Sequence, residues 1–146
     1  MDEKPLYEGK FAVTGGDFDS AGVASGNIKI ILKQMGLSGD IVRKASLVAY
    51  ESEINIVSYA RKGMIRMRVV PGSVIIEAID EGQGIPDVNL AMQPGYSTAT
   101  DKIREMGFGA GMGLCNIKNF SDMFHIYSEL GKGTYLKMII ETNGNS

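Results

Sequence analysis

An acid and an amide one helical turn apart are the first residues of this sequence that could support chemistry. Glu51 and Asn55 lie in a stretch whose apolar spacing predicts a helix from Ser38 to about Ala60, so both project from one face. At about 100° per residue, Glu51 falls among apolar neighbours, whereas Glu53 is expected to face solvent. A partly desolvated glutamate could act as a general base, and an amide oxygen suits Mg²⁺. The alternative is that Glu51 merely borders the apolar stripe.

A second acid, Asp80, precedes the glycine-rich turn Glu81-Gly82-Gln83-Gly84-Ile85-Pro86. The alternation of the strand before it places Asp80 on the same side as the apolar residues, where a carboxylate needs hydrogen-bond donors. Those donors could be the following glycine amides, in which case Asp80 caps a turn. They could instead belong to a ligand's exocyclic amine, with Gly82 and Gly84 allowing the backbone to approach that ligand closely.

A third feature is the run of alternating glycines Gly107-Phe108-Gly109-Ala110-Gly111-Met112-Gly113-Leu114, just before a predicted helix. Such a backbone could present amides to a phosphate, or it could be a plain flexible loop. The Walker loop, the Rossmann glycine pattern and the His-Arg-Asp and Asp-Phe-Gly motifs of ordinary protein kinases are all absent from the sequence. A nucleotide site here would therefore belong to another class.

The elements that must position these residues mix helices and strands without strict alternation, which predicts an α+β fold. We expect a mixed, largely antiparallel sheet with the helices on a single face. The predicted elements are a strand over Leu6–Val13, a helix from Asp19 or Ser20 to Gly36, the helix ending near Ala60, a hairpin of Ile65–Val69 and Val74–Asp80 turning at Pro71-Gly72, a short helix over Val88–Met92, a helix over about Met112–Ser121, and strands over Phe124–Glu129 and Thr134–Ile140.

The length of 146 residues is that of one domain. We expect loose tails at residues 1–5 and 142–146, and a single domain over residues 6–141. Residues 81–113 form a long irregular stretch, which inside a compact domain is usually functional, and we interpret about 87–112 as a lid.

Composition excludes several function classes. Fifteen Lys and Arg against seventeen Asp and Glu give a net charge of −2, which argues against an electrostatic nucleic-acid binder. One cysteine cannot form an internal disulfide, and the single histidine, His125, excludes a multi-histidine metal centre. No apolar run has the length of a membrane span and no secretory signal is present, so we expect a cytoplasmic protein.

Taken in this order, the three features resemble the GHKL ATPase superfamily, which includes gyrase and the histidine kinases. The N box would be Glu51 to Asn55, the two glycine boxes would be 80–84 and 109–114, and Gly131-Lys132-Gly133-Thr134 is similar to a late Gly-Thr element. The sequences of residues 80–87 and of Gly95-Tyr96-Ser97-Thr98 resemble those of the bacterial anti-sigma-factor serine kinases and switch kinases. The resemblance implies the Bergerat fold, a two-layer α/β sandwich with a glycine-rich ATP lid.

The resemblance also implies roles for individual residues. Glu51 would be the general base, Asn55 would bind ATP through Mg²⁺, and Asp80 would accept the adenine amino group with Thr134 nearby. Lys102 could reach a phosphate, as could Arg104, or both could be solvated lid charges. The other residues implied to bind ATP are Gly82, Gly84, Ile85, Ser97, Thr98, Gly109, Gly111, Met112, Gly113 and Leu114.

The function that the resemblance implies is an ATP-dependent protein serine/threonine kinase of the anti-sigma type. Its substrate would be a STAS-type anti-sigma antagonist in a partner-switching pathway. Its other partners would be a sigma factor or a PP2C-type phosphatase, and a homodimer is plausible by resemblance; nucleic acid and membrane are not expected. The alternative is a nucleotide-gated protein-binding module without kinase activity.

Overall fold

Helical segments and strands succeed one another much as the residue pattern predicts. The structure, a computed structural model, describes residues 4–93 and 113–142. Within these ranges the elements are β1 (Tyr7–Thr14), a short 3-10 turn (Phe18–Ser20), α1 (Val23–Gln34), α2 (Gly39–Tyr59), β2 (Ala60–Val70), β3 (Ser73–Gly82), α3 (Val88–Ala91), α4 (Gly113–Asn119), β4 (Met123–Glu129) and β5 (Gly133–Glu141). The predicted tails and lid fall largely outside the described residues.

The strands form a five-stranded sheet in the order β1-β2-β3-β5-β4. Each pairing in the described sheet is antiparallel, and the β2–β3 hairpin turns at Pro71-Gly72 as predicted. Ile65 on β2 lies opposite Phe11 on β1 and Ala78 on β3. This register places the buried apolar residues of β2, β3 and β5 on one face of the sheet. The predicted α+β class with a largely antiparallel sheet is confirmed.

The hydrophobic core lies between that face and the helices α1 and α2. Strand and helix side chains in it are almost completely removed from water, and a large apolar side chain buried in this way contributes roughly 1.5–3 kcal/mol. The largest of these core residues are Ile28, Leu32, Val48, Ile56 and Ile117 from the helices and Ile65, Met67, Val74, Ile76, Met138 and Ile140 from the strands. The core therefore fixes the rotation of α2, on which the acid–amide pair lies.

The two long helices begin in different ways. Ser38 caps α2, since its Oγ accepts a hydrogen bond from the Ile41 amide at 3.3 Å. The prediction that α1 begins at Asp19 or Ser20 is wrong. Those residues belong to a 3-10 turn capped by Asp17, and α1 starts only at Val23, after Gly22 with φ of 100°.

Glu53 corrects a further prediction, because it does not face solvent. Glu53 is only 2% exposed, and its carboxylate accepts hydrogen bonds from three backbone amides at the start of α1. Oε2 accepts from Gly22 at 3.0 Å and Ala24 at 3.1 Å, and Oε1 accepts from Ser25 at 3.0 Å. A helical wheel of α2 alone places Glu53 opposite the core, but it cannot show that the positive end of α1 packs there.

The opposite face of the sheet holds a charged cluster around Glu77, which is 8% exposed. Its Oε1 lies 3.0 Å from Nε of Arg66 and 3.7 Å from Arg68, and its Oε2 accepts the hydroxyl of Tyr135. Burial, together with this hydrogen bond, raises the pKa of Tyr135 to about 12. The cluster connects β2, β3 and β5 from the side away from the helices.

Among the described residues, no helix is both long enough and apolar enough to cross a bilayer.

Candidate functional site

The acid–amide pair on α2 converges on the first residue of α4. A Cβ built on Gly113 would lie 3.1 Å from Oδ1 of Asn55 and 3.5 Å from Oε2 of Glu51. The two side chains therefore share one face, as their spacing predicts, and both reach the same point in space. A side chain larger than glycine at position 113 would occupy the space in front of these oxygens.

Asn116, one turn into α4, is a site residue that the sequence analysis missed. It forms a side-chain hydrogen bond with Glu51. Burial of the Glu51 carboxyl raises its pKa above the ordinary value, and the Asn116 hydrogen bond opposes this effect by stabilising the charged form. A signal did exist in the sequence, since Asn116 is three residues beyond Gly113 and so lies on the same face of α4.

The second cluster forms where β3 and β5 meet. The Thr134 amide donates to Oδ1 of Asp80 at 3.1 Å. The turn-capping alternative is therefore incorrect for the described residues, because the donor comes from β5 and not from the glycines after Asp80. Burial raises the pKa of the Asp80 carboxyl, with the Thr134 hydrogen bond opposing it. Among the described residues, the partner of this carboxylate is the Thr134 amide, which donates to Oδ1.

The loop after β3 is fastened to the β4–β5 turn. The Ile85 amide donates to Oγ of Ser128 at 2.7 Å, and the Gly131 amide donates to the Gln83 carbonyl at 2.9 Å. Gly84 has φ of +79°, and a Cβ there would lie 2.4 Å from the carbonyl oxygen of Glu129. This close backbone approach explains why a glycine occupies the second position of the motif.

The clusters are joined through the end of α2. A Cβ on Gly82 would lie 3.1 Å from Cα of Ala60 and 3.2 Å from the carbonyl oxygen of Tyr59. The last turn of α2, which follows Asn55, therefore abuts the first glycine box. Leu114, another predicted site residue, packs against the hydrophobic core.

Seven candidate site residues lie outside the part of the chain that the structure describes: Ser97, Thr98, Lys102, Arg104, Gly109, Gly111 and Met112.

Gly133 provides a stability test of the β3–β5 junction. It has φ of +151°, and a Cβ there would lie 2.0 Å from the carbonyl oxygen of Asp80. We expect Gly133→Ala to lower the free energy of unfolding by about 3 kcal/mol, because backbone must move. Gly131→Ala is the matched control, since Gly131 has φ of +80° but nothing within 4 Å of its Cβ position. It should cost only about 1 kcal/mol in urea denaturation. Equal losses would contradict this account.

Fold and site together define the class of the chain: an α+β ATPase-type domain with an acid–amide pair on a central helix and a half-buried aspartate near the end of a sheet strand. Residues 40–143 match the sequence model of the family described as Histidine kinase-, DNA gyrase B-, and HSP90-like ATPase, and the chain belongs to this family. Membership implies ATP binding, and it confirms the resemblance given by the three motifs.

The chain is also similar to several curated proteins. It is 36% identical over 99 residues to an anti-sigma F factor of Caldanaerobacter subterraneus, covering 68% of this chain and 62% of that protein. It is 33% identical over 115 residues to the serine/threonine-protein kinase RsbT of Bacillus subtilis, covering 75% of this chain and 79% of that protein. An anti-sigma F factor of Geobacillus stearothermophilus is 38% identical over 79 residues, which are 51% of each chain.

The chain spans about 62% of the length of the anti-sigma F factors from Caldanaerobacter and Thermoanaerobacter that it matches. The similarity to RsbT covers more of both chains, and so it carries more weight for the domain as a whole.

Proposed function

We propose that this chain is an ATP-dependent protein serine/threonine kinase of the anti-sigma regulatory type. The observation that carries the proposal is the half-buried Glu51 carboxyl, which lies beside Asn55 and accepts a hydrogen bond from Asn116. A carboxylate whose pKa is raised by burial is a stronger base than one in water. The name of the Bacillus subtilis relative, a serine/threonine-protein kinase, supports the same activity.

In the proposed reaction the hydroxyl oxygen of a substrate serine or threonine attacks the γ-phosphorus of ATP. A phosphorus–oxygen bond forms to the substrate, the bond to the bridging β,γ-oxygen breaks, and ADP leaves with that electron pair. Glu51 would accept the hydroxyl proton as the attack proceeds. Most of the acceleration in such transfers comes from positioning and from neutralising the charge on the phosphates.

The chemistry of the Asn55 side chain suits magnesium. Its amide oxygen is a hard ligand, and it lies 3.1 Å from the Cβ position that glycine leaves empty at residue 113. Asn55 would hold the ion. When bound, Mg²⁺ would supply neutralisation of the phosphate charge.

Recognition of the base would fall to Asp80 and Thr134. Oδ2 of Asp80 would accept the exocyclic amine of adenine, and Thr134 would lie beside the ring nitrogen N1. Gly82, Gly84 and Ile85 would border the nucleotide. The remaining roles stay predictions from the resemblance: Gly109, Gly111, Met112, Gly113 and Leu114 around the phosphates, and Ser97, Thr98 and Lys102 in the lid.

The proposed substrate is a STAS-type anti-sigma antagonist, and the other partners are a sigma factor or a PP2C-type phosphatase. Relatives named anti-sigma F factor support a place in sigma-factor control. A cytoplasmic location and a homodimer accompany this proposal.

The test is a transfer assay with γ-labelled ATP, Mg²⁺ and a STAS protein from the same organism. We expect label on a serine or threonine of the STAS protein. Stabilisation of the chain by Mg-ATP with no transfer would support the binding module instead. Failure of Mg-ATP to raise the melting temperature would contradict both functions.

The role of Asn116 leads to a pH prediction. Asn116→Ala removes the hydrogen bond that lowers the pKa of Glu51, while the burial that raises it remains. The pKa should therefore rise further, and since the base must be ionised, the acid limb of the transfer rate should move to higher pH. NMR titration of the Glu51 carboxyl gives a second measurement. Asn119→Ala, on the exposed side of α4, is the matched control; a shift of equal size there would contradict the role of Asn116.

A further inference from the structure

The face of the sheet that points away from α1 and α2 is unusually apolar for a surface. It is formed in every strand by the alternate residues that share the side of Glu77, and we call it the outer face. An antiparallel sheet with one face in water normally has polar side chains on that face. On β3, β4 and β5, the large apolar or aromatic side chains of the outer face are Ile75, Ile79, Met123, Tyr127, Tyr135 and Ile139.

The strand register gathers these side chains into two rows. Across β3, β5 and β4, one row consists of Ile79, Tyr135 and Tyr127, and the other of Ile75, Ile139 and Met123. Ile79 is 38% exposed, Met123 is 47% exposed and Tyr127 is 65% exposed. Exposed apolar side chains that are adjacent, rather than scattered singly, mark a surface that contacts another molecule.

A charged row runs between the two apolar rows. From β1 to β4 it consists of Lys10, Arg66, Glu77, Lys137 and His125. The Glu77 carboxylate is occupied by Arg66 at 3.0 Å, together with Arg68 and the Tyr135 hydroxyl. Lys10 and Lys137 form no ion pair with any other residue that the structure describes. The row therefore has a surplus of positive charge, although the chain as a whole has a net charge of −2.

We propose that the outer face is a docking surface for an acidic amphipathic helix of a partner protein. The two apolar rows would bury the apolar stripe of that helix, and Lys10 and Lys137 would pair with carboxylates beside the stripe. Glu51 lies on α2, on the other side of the sheet, so a bound partner would leave the candidate catalytic site accessible. The inference does not depend on the proposed kinase activity.

The charges of the outer face disfavour two other occupants. If two copies packed face to face about a two-fold axis along the charged row, each lysine would lie opposite its own copy. With the axis across the centre of the row, Arg66 would lie opposite Lys137 of the second copy. An anionic bilayer, being flat, would meet the exposed acids Glu8, Glu129 and Glu141 at the rim of the face.

The test uses two synthetic amphipathic helical peptides with the same leucine stripe, one flanked by glutamates and the other by lysines. Fluorescence anisotropy measures their binding to the full chain. We expect the wild type to bind the glutamate peptide at least about fivefold more tightly than the lysine peptide. Lys137→Glu should weaken the glutamate peptide about fivefold, and Tyr127→Ser should weaken both peptides about tenfold through lost apolar burial. Lys33→Glu, on the exposed side of α1, is the matched control and should change nothing.

Equal binding of the two peptides overturns the proposal, as does a loss in Lys33→Glu equal to that in Lys137→Glu. Sedimentation tests the second copy: a wild-type dimer that becomes a monomer in Tyr127→Ser assigns the face to self-association and overturns the proposal. Binding to vesicles of phosphatidylcholine and phosphatidylserine that is lost in Tyr127→Ser assigns the face to a membrane and also overturns it. These measurements contain no nucleotide, so their failure leaves the proposed function intact.

Discussion

Replacing Glu51 with glutamine should reduce phosphoryl transfer by about 10²–10⁴-fold while ATP still binds. The amide has the shape of the carboxyl but cannot take the proton of the substrate hydroxyl. The fold should not suffer, because burial raises the pKa of Glu51, which means that the ionised carboxylate is less favourable in the folded chain than in the unfolded one, and the neutral amide avoids this cost. Initial rates with labelled ATP and the STAS protein measure the loss, and calorimetry measures binding of ATP.

The control for this experiment is Glu8→Gln, the same change on the exposed edge strand β1. It should leave both transfer and ATP binding unchanged. Transfer by Glu51→Gln at the wild-type rate would show that Glu51 is not the base. Loss of ATP binding along with transfer would instead assign Glu51 to nucleotide binding.

Replacing Glu53 with alanine should have the largest effect on stability. The change leaves three amides at the start of α1 without an acceptor in a buried position, since Gly22, Ala24 and Ser25 all donate to this carboxylate. We expect the free energy of unfolding to fall by about 3–5 kcal/mol, as when one partner of a buried charged interaction is removed. Urea denaturation followed by circular dichroism measures the loss.

Glu81→Ala is the matched control for Glu53→Ala. Glu81 also interacts with more than one partner, Arg61 at 3.8 Å and Lys62 at 3.5 Å, but its side chain is 55% exposed. Exposed ion pairs of this kind contribute roughly 0–1 kcal/mol, so the control should lose far less stability. A loss for Glu53→Ala no larger than the control's would mean that water satisfies the start of α1.

The parts of the fold that follow from local chemistry could be predicted from the sequence. The Pro71-Gly72 turn and the alternation on either side of it specify the β2–β3 hairpin. The four-residue spacing of Glu51 and Asn55 places both on one face of α2, and the order of the glycine boxes was sufficient to identify the family.

The parts that depend on distant segments could not be predicted. Glu53 has an ordinary position on a helical wheel, and only the packing of α1 against α2 makes it a cap. Ser128 contacts Ile85, 43 residues away along the chain, so no local pattern predicts this contact. Asp80 was correctly suspected of needing a donor, but the sequence could not show that this donor is the amide of Thr134.

The capping of α1 by Glu53 also bears on how the chain may be divided. The family match begins at residue 40, yet the amides that satisfy Glu53 belong to residues 22–25 and β1 pairs along the whole edge of β2 from Lys62 to Val69. A fragment cut to residues 40–143 would leave the Glu53 carboxylate buried without its hydrogen-bond donors. It would also expose the edge of β2, where other chains could pair with it. The segment that matches the family is thus shorter than the segment whose contacts complete this fold.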